Sequence, residues 1–94
     1  MKDGDLASIR PATLRPADDG WEQPTPKEIK AIKDRLGLTG SGMARLLGFT
    51  VQTTGGSRQI RRWIGGEAPI PYSAWAILCY QAGFGPIWIQ EWTS

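Results

Sequence analysis

Residues 57–64 carry the side chains of this chain with the clearest capacity for chemistry. The segment combines three arginines with three large apolar residues: Arg58, Arg61 and Arg62, and Ile60, Trp63 and Ile64. In a helix turning about 100° per residue, the apolar residues fall within an arc of roughly 100° and the arginines fall opposite them. A guanidinium group can fork two hydrogen bonds onto guanine or onto a phosphate. The pattern fits a helix that reads the major groove of DNA, or else a solvated amphipathic helix.

The residue types exclude several catalytic and metal-binding chemistries. The chain has no histidine and a single cysteine, so zinc sites and histidine-based triads are excluded within one subunit. Cys79 follows the apolar run 74–78 and is predicted to be a buried hydrophobe. Apart from Glu91, for which a salt bridge is the simpler role, no carboxylate lies among apolar residues that would raise its pKa. We therefore predict neither an enzyme nor a cofactor or metal.

The charge distribution favours a polyanionic partner more than the net charge of +2 does. Residues 1–22 hold three basic and five acidic side chains, a net of −2, whereas residues 23–94 hold eight basic and four acidic ones, a net of +4. The basic excess lies in the part predicted to fold, where it can attract nucleic acid. No secretory signal and no stretch long enough to span a membrane is found, which predicts a cytoplasmic protein.

The first helix has clear boundaries in the sequence. Thr25 and Glu28 match the pattern of a capping box, in which the side chain of each residue accepts a hydrogen bond from the backbone N–H of the other. Gly37 supplies a residue that readily adopts the left-handed conformation at a helix end. These signals predict a helix over residues 26–36.

Three further helices are predicted from caps and apolar spacing. Thr39 caps a second helix that Gly48 closes, and Ser57 caps the arginine helix over 57–64. A fourth helix, over 72–82, is apolar around nearly its whole circumference. Such a helix is central to a core or buried in an interface.

Two terminal segments flank these helices. Residues 1–24 are rich in Asp, Gly, Ala and Pro without a sustained period, so we predict a flexible arm in which Trp21 folds back onto the core. Arg10 and Arg15 of this arm could enter a minor groove, although a disordered leader is the simpler reading. Residues 84–94 are rich in tryptophan and isoleucine. This segment packs over the helices, meets a second copy of the chain, or does both.

Several short motifs carry a resemblance to a known family. They are PKEIK at 26–30, LGLT at 36–39, MARLLG at 43–48 and IRRW at 60–63. With these motifs, residues 25–83 resemble the Cro/repressor-type (XRE-like) helix-turn-helix domains of phages and bacteria. Residues 61–72 also look like the small phage-encoded repressors that include the anti-CRISPR-associated (Aca-like) regulators. The resemblance implies a compact all-α domain of four to five helices between the flexible arm and the Trp-rich C-terminal segment.

The resemblance also implies which side chains meet DNA. In the family, the second and third helices form the reading unit, and a dimer binds an inverted repeat. The residues placed to read bases are Ser57, Arg58, Gln59, Arg61 and Arg62. The residues placed on phosphates are Thr39, Ser41 and Arg45.

Three departures from the family pattern bear on this assignment. Gly40 and Gly42 stand where the family commonly has Gln and Glu near the start of the second helix. Nine residues, 48–56, separate the second and third helices, where the motif normally has about three or four. This connector can tilt the reading helix, form a wing on the phosphates, or adapt the domain to hold a protein. The wing residues are Thr50, Gln52, Thr53 and Thr54.

The sequence supports two functions. One is a sequence-specific transcriptional regulator of a phage or bacterial operon, a dimeric repressor on double-stranded operator DNA, with Ile87, Trp88 and Trp92 at the dimer interface. The other is a protein-binding module on the same scaffold, such as an antitoxin or an inhibitor of a host defence complex. That module would use Trp88, Trp92 and the acidic arm. Either function is expected in the cytoplasm of a bacterial cell or a phage-infected host.

Overall fold

Four α-helices form the framework of the described part of the chain. The computed structural model describes residues 8–49 and 55–89. The helices are α1 (Pro26–Leu36), α2 (Gly40–Leu46), α3 (Gly55–Ile64) and α4 (Tyr72–Cys79). A short 3₁₀ turn, Pro11–Leu14, precedes them, and a π-helical turn, Tyr80–Phe84, follows α4. No strand occurs within these residues, which confirms the all-α prediction.

Helix α1 has the bounds that its capping residues predict. The Thr25 side chain accepts a hydrogen bond from the Glu28 backbone N–H, and the Glu28 carboxylate accepts one from the Thr25 N–H. Gly37 ends the helix with φ at 68°, a conformation that costs glycine little. Ile29 and Ile32 are buried on its inner face. Local hydrogen bonds therefore fix both ends of α1, and apolar spacing fixes its orientation.

Helices α2 and α3 pack against each other, and α3 also packs against α1. Thr39 caps α2 as predicted, because its side-chain oxygen accepts a hydrogen bond from the Gly42 N–H at 3.0 Å. Helix α3 begins at Gly55, two residues earlier than predicted. Ser57 therefore lies inside the first turn of α3, and its prediction as the N-cap is wrong. The two glycines at the start of α3 disfavour a helix, so the burial of Ile60 and Trp63 supplies the stabilisation.

Helix α4 supplies the centre of the core but leaves one edge uncovered. Its buried residues are Ala74, Trp75, Ala76, Leu78 and Cys79. The α-helix ends at Cys79 and widens into the π-helical turn, where Gly83 has φ at 104°. The predicted central position in the core is confirmed for these buried residues, whereas Ile77 is 39% exposed and Tyr80, in the following turn, is 53% exposed, so burial of this edge in an interface stays a prediction.

Residues 8–24, predicted as part of a flexible arm, instead lie against the core. Ile9 and Thr13 are buried. The indole N–H groups of Trp75 and Trp21 both donate to the Thr13 carbonyl oxygen, at 2.8 and 2.9 Å. The predicted return of Trp21 to the core is confirmed, and its ring meets that of Tyr72 edge-on. The prediction of a flexible arm is wrong for residues 8–24 because these contacts join residues far apart in sequence and leave no periodic signal. Residues 1–7 lie outside the described part.

Arg10 fastens this N-terminal segment to α1. Its guanidinium Nε donates to a Glu28 carboxylate oxygen at 2.9 Å, and its backbone N–H donates to the same oxygen at 2.8 Å. Burial by itself raises the pKa of Glu28, but the hydrogen bonds from Arg10 and Thr25 outweigh that effect and lower it. Arg10 is thus paired with carboxylates rather than free for a minor groove. Glu28 is buried, although the sequence places no carboxylate other than Glu91 among apolar residues.

Candidate nucleic-acid interface

Helix α3 presents the two faces that its sequence predicts. Ile60 and Trp63 are buried against the rest of the domain, and the Trp63 ring contacts Phe49 with ring centroids 5.9 Å apart. Arg58, Arg61 and Arg62 are exposed. A helix held by its apolar edge therefore projects three guanidinium groups outward from a fixed backbone.

Acidic side chains compensate little of the positive charge of the exposed α3 arginines. The Arg62 Nε lies 4.0 Å from a Glu67 carboxylate oxygen, and both side chains are largely exposed, so this pair is weak. Across residues 8–49 and 55–89, neither Arg58 nor Arg61 forms an ion pair. Their charge is available to an external anion.

A groove of about 600 Å³ runs beside α3, between α1 and the start of α2. Its polar lining comes from Lys30, Lys33, Thr39, Ser41 and Arg61, and its floor from Ile60 and Ile64. No carboxylate is among the lining residues. Lys30 is paired with Asp34 at 2.8 Å, whereas Lys33 forms no ion pair with any described residue. The sequence shows the α1 lysines but does not reveal that two of them share a groove with Arg61.

The structure brings some of the predicted DNA-contacting residues to one surface. Ser41 and Arg45 are four residues apart on α2, so they share its exposed face. Gln59 is half-buried on α3. The Thr39 hydroxyl oxygen is occupied by the α2 cap. The predicted phosphate residues Thr50, Thr53 and Thr54, together with Gln52 of the proposed wing, lie outside the described residues.

The C-terminal segment divides between core and surface. Ile87, which the sequence places at a dimer interface, is buried within its own chain and therefore offers no contact surface to a partner. Trp88 and Ile89 are 47% and 49% exposed, and the Trp88 ring lies against Tyr80 with centroids 6.0 Å apart. Trp92 lies outside the described residues.

Four large apolar side chains, Ile77, Tyr80, Trp88 and Ile89, stay 39–53% exposed, and we call them the exposed apolar patch. Tyr80 and Trp88 are in ring contact, Ile77 lies three residues before Tyr80, and Ile89 follows Trp88. Exposed apolar side chains of this size are typical of an interaction surface. Sequence reasoning found Trp88 but missed Ile77 and Tyr80, because an all-round apolar helix does not reveal which edge remains uncovered.

The remaining reactive groups are structural in the described residues. Burial raises the pKa of the Cys79 thiol to about 12, and the nearby Glu28 carboxylate adds to the shift. The side chain of Cys79 lies inside the core, so a thiolate is absent at neutral pH. No group of three or more potential metal ligands occurs in residues 8–49 and 55–89. Likewise, none of the helices in these ranges is long and apolar enough to cross a membrane.

Comparison with characterised proteins gives two relatives that span nearly the whole chain. Both are named transcriptional repressor protein KorC, and both come from Escherichia coli. One is 51% identical over 81 residues, covering 86% of this chain and 91% of the relative. The other is 46% identical over 82 residues, covering 87% of this chain and 92% of the relative. No family model matches the chain, and no solved structure matches it.

Proposed function

Because this chain belongs to the KorC family of transcriptional repressors, we propose that it represses transcription by placing helix α3 in the major groove of an operator. It is a DNA-binding transcriptional repressor and not an enzyme. The finer assignment, a Cro-type helix-turn-helix formed by α2 and α3, is our inference from the resemblance and from the packing of α2 against α3. Because its target is DNA, the protein acts in the bacterial cytoplasm.

One observation carries the assignment of α3 as the reading helix. Its apolar edge is fully buried through Ile60 and Trp63, while Arg58 and Arg62 stand exposed four residues apart on the opposite side. A rigid helix with arginines on its outer edge suits base readout, since each guanidinium can take both acceptors of a guanine. If α3 were only a solvated amphipathic helix, its exposed arginines would bind nothing. A DNA-binding repressor, in contrast, needs a surface of exposed arginines.

Base reading is assigned to the outer edge of α3 and backbone contact to α2. Arg58 and Arg62 project from the exposed edge, and Gln59 flanks them. On α2, Ser41 and Arg45 share one exposed face and are placed to contact phosphates. Phosphate contacts fix the position of the protein on the duplex, whereas the arginines of α3 provide sequence specificity.

The exposed apolar patch is proposed as the dimer interface, occupied by the same patch of a second copy. It is built from the end of α4 and the residues that follow, whereas the groove and the exposed arginines belong to α1, α2 and α3. Self-association through a patch that includes Tyr80 and Trp88 therefore leaves both copies of α3 free for DNA. A symmetric dimer of this kind reads an inverted repeat whose half-sites lie about one helical turn apart.

The test selects binding sites from a random double-stranded library with the purified protein and measures affinity by mobility shift. The Arg58→Ala/Arg62→Ala variant is expected to bind the selected duplex at least about 30-fold more weakly, because each bidentate guanine contact contributes about 1–3 kcal/mol. Lys27→Ala/Arg35→Ala removes the same charge from exposed positions of α1 and serves as the matched control. Equal affinity of the two variants would remove α3 from the reading role.

The dimer is tested separately by sedimentation. Trp88→Arg is expected to convert a dimer into a monomer and to weaken binding to the inverted repeat more than binding to a single half-site. If the wild-type chain sediments as a monomer with DNA, the dimer proposal fails. If a stoichiometric protein partner co-purifies and no duplex is retarded, the patch belongs to the protein-binding module that the sequence offers as its second function.

A further inference from the structure

We propose that the groove between α1, α2 and α3 receives the sugar–phosphate backbone of DNA, with Lys33 and Arg61 each neutralising a phosphate. Arg61 then positions the repressor on the duplex and reads no base. This inference rests on the proposed function and changes the role that the sequence assigns to Arg61.

The three arginines of α3 are not equivalent in direction. At about 100° per residue, Arg61 and Arg62 diverge by about 100° around the helix, and Arg58 lies between them. Arg61 lines the groove toward α1, whereas Arg62 lies on the side of Glu67. An α-helix with its side chains is about 10–12 Å wide and the major groove is about 12 Å wide. Residues on the flank of a docked helix therefore face the groove wall, which is sugar and phosphate.

The composition of the groove suits an anion. Lys33 and Arg61 line it without an ion pair to any residue in the described ranges, and the Ser41 hydroxyl adds a hydrogen-bond donor. Arginine offers a planar fork and lysine a point charge, and both bind phosphate. Ile60 and Ile64 also line the groove, and an apolar lining lowers the local dielectric constant, which strengthens the electrostatic attraction.

The shape of the groove favours a polymer backbone over an isolated ion. The groove is open to solvent and is lined by residues of three helices, so an extended chain can lie along it. Lys33 comes from α1 and Arg61 from α3, so the two cations reach the groove from different helices. A strand that lies in the groove can meet both cations, and the same strand borders the major groove that α3 enters.

The experiment compares Lys33→Gln and Arg61→Gln with Arg62→Gln, on the selected duplex and on a scrambled duplex of equal length. Gln keeps most of the aliphatic stem while removing the charge. For Lys33→Gln and Arg61→Gln, binding to both duplexes is expected to fall by about tenfold alike, leaving the ratio of the two affinities unchanged. Each variant is also expected to reduce the slope of log affinity against log salt by about 0.9 per protomer, or about 1.8 for the proposed dimer, and the double variant by twice as much.

Two controls make the result specific to the groove. Arg35→Gln removes a charge from α1 at about 160° around the helix from Lys33, and it is expected to leave affinity and salt slope within error. Arg62→Gln is expected to lower the affinity ratio, because it removes a base contact. Thermal unfolding of every variant confirms that the fold is retained.

The outcomes separate this proposal from the one it rests on. If Arg61→Gln lowers the affinity ratio as Arg62→Gln does, Arg61 reads a base and the proposal is wrong. An unchanged salt slope in both groove variants also overturns it, while a loss confined to Arg58 and Arg62 leaves the proposed function intact. Failure of the wild-type protein to bind any duplex overturns both proposals together.

Discussion

The attachment of the N-terminal segment to α1 depends on one carboxylate, and Glu28→Gln tests it. Glu28 is only 4% exposed, and its carboxylate accepts four hydrogen bonds. Three come from Arg10, through its backbone N–H at 2.8 Å, Nε at 2.9 Å and Nη2 at 3.1 Å, and one comes from the Thr25 N–H at 2.7 Å. The carboxylate therefore holds the N-cap of α1 and the N-terminal segment at once.

The expected cost follows from these bonds. In the Glu28→Gln variant one carboxylate oxygen is replaced by an NH₂ group, so two of the four hydrogen bonds are lost together with the negative charge. Hydrogen bonds to a charged group contribute roughly 1.5–3 kcal/mol each and are not additive, so we expect a loss of about 3 kcal/mol in the free energy of unfolding. For a domain of this size, that loss lowers Tm by about 12–24 °C.

The measurement is urea unfolding, followed by tryptophan fluorescence at neutral pH and at a series of acidic pH values. The folded-state pKa of Glu28 is lowered from its ordinary value of 4.5, so its contribution is fully present above that value and is lost as the pH falls through the lowered pKa. Wild-type stability is therefore expected to fall below about pH 4.5 more steeply than that of Glu28→Gln.

Glu22→Gln is the matched control, because Glu22 contacts the same Arg10 guanidinium at 3.1 Å but is largely exposed. It is expected to change stability by less than about 0.5 kcal/mol. The reasoning is refuted if Glu28→Gln unfolds within about 0.5 kcal/mol of the wild type, or if its acid limb matches that of the wild type.

Three further predictions concern the core and the exposed apolar patch. Trp75→Phe is expected to cost about 1 kcal/mol more in urea unfolding than Trp63→Phe, because the Trp75 indole donates to Thr13 whereas the buried Trp63 indole N–H finds no partner among the described residues. Equal costs would contradict this account. Cys79 is expected to react with Ellman's reagent at neutral pH only on unfolding, since its pKa is raised to about 12, and rapid native labelling would contradict its burial. Tyr80→Glu is expected to shift sedimentation toward a monomer and to remove the concentration dependence of Tm that a dimer confers, and an unchanged dimer would place the interface elsewhere.

Features that depend on neighbours in sequence were predictable from the residues alone. The bounds of α1 follow from Thr25, Glu28 and Gly37, whose interactions all lie within one helical turn. The two faces of α3 follow from its spacing, because helical geometry converts the positions of Ile60 and Trp63 into a buried edge. The all-α class and the repressor function were also correct, since both depend on short patterns in a fixed order.

The tertiary structure alone decided where the remaining surfaces lie. Residues 8–24 are held against the core by contacts such as the hydrogen bond between Trp75 and Thr13. These two residues are 62 positions apart, so the contact produces no local sequence pattern. The groove that joins Lys33 to Arg61 exists only because α1 and α3 pack side by side. The packing of the other elements against α4 likewise decides which of its edges stays exposed. Periodicity determines which residues share a face of one helix, but only the packing between helices determines what each face meets.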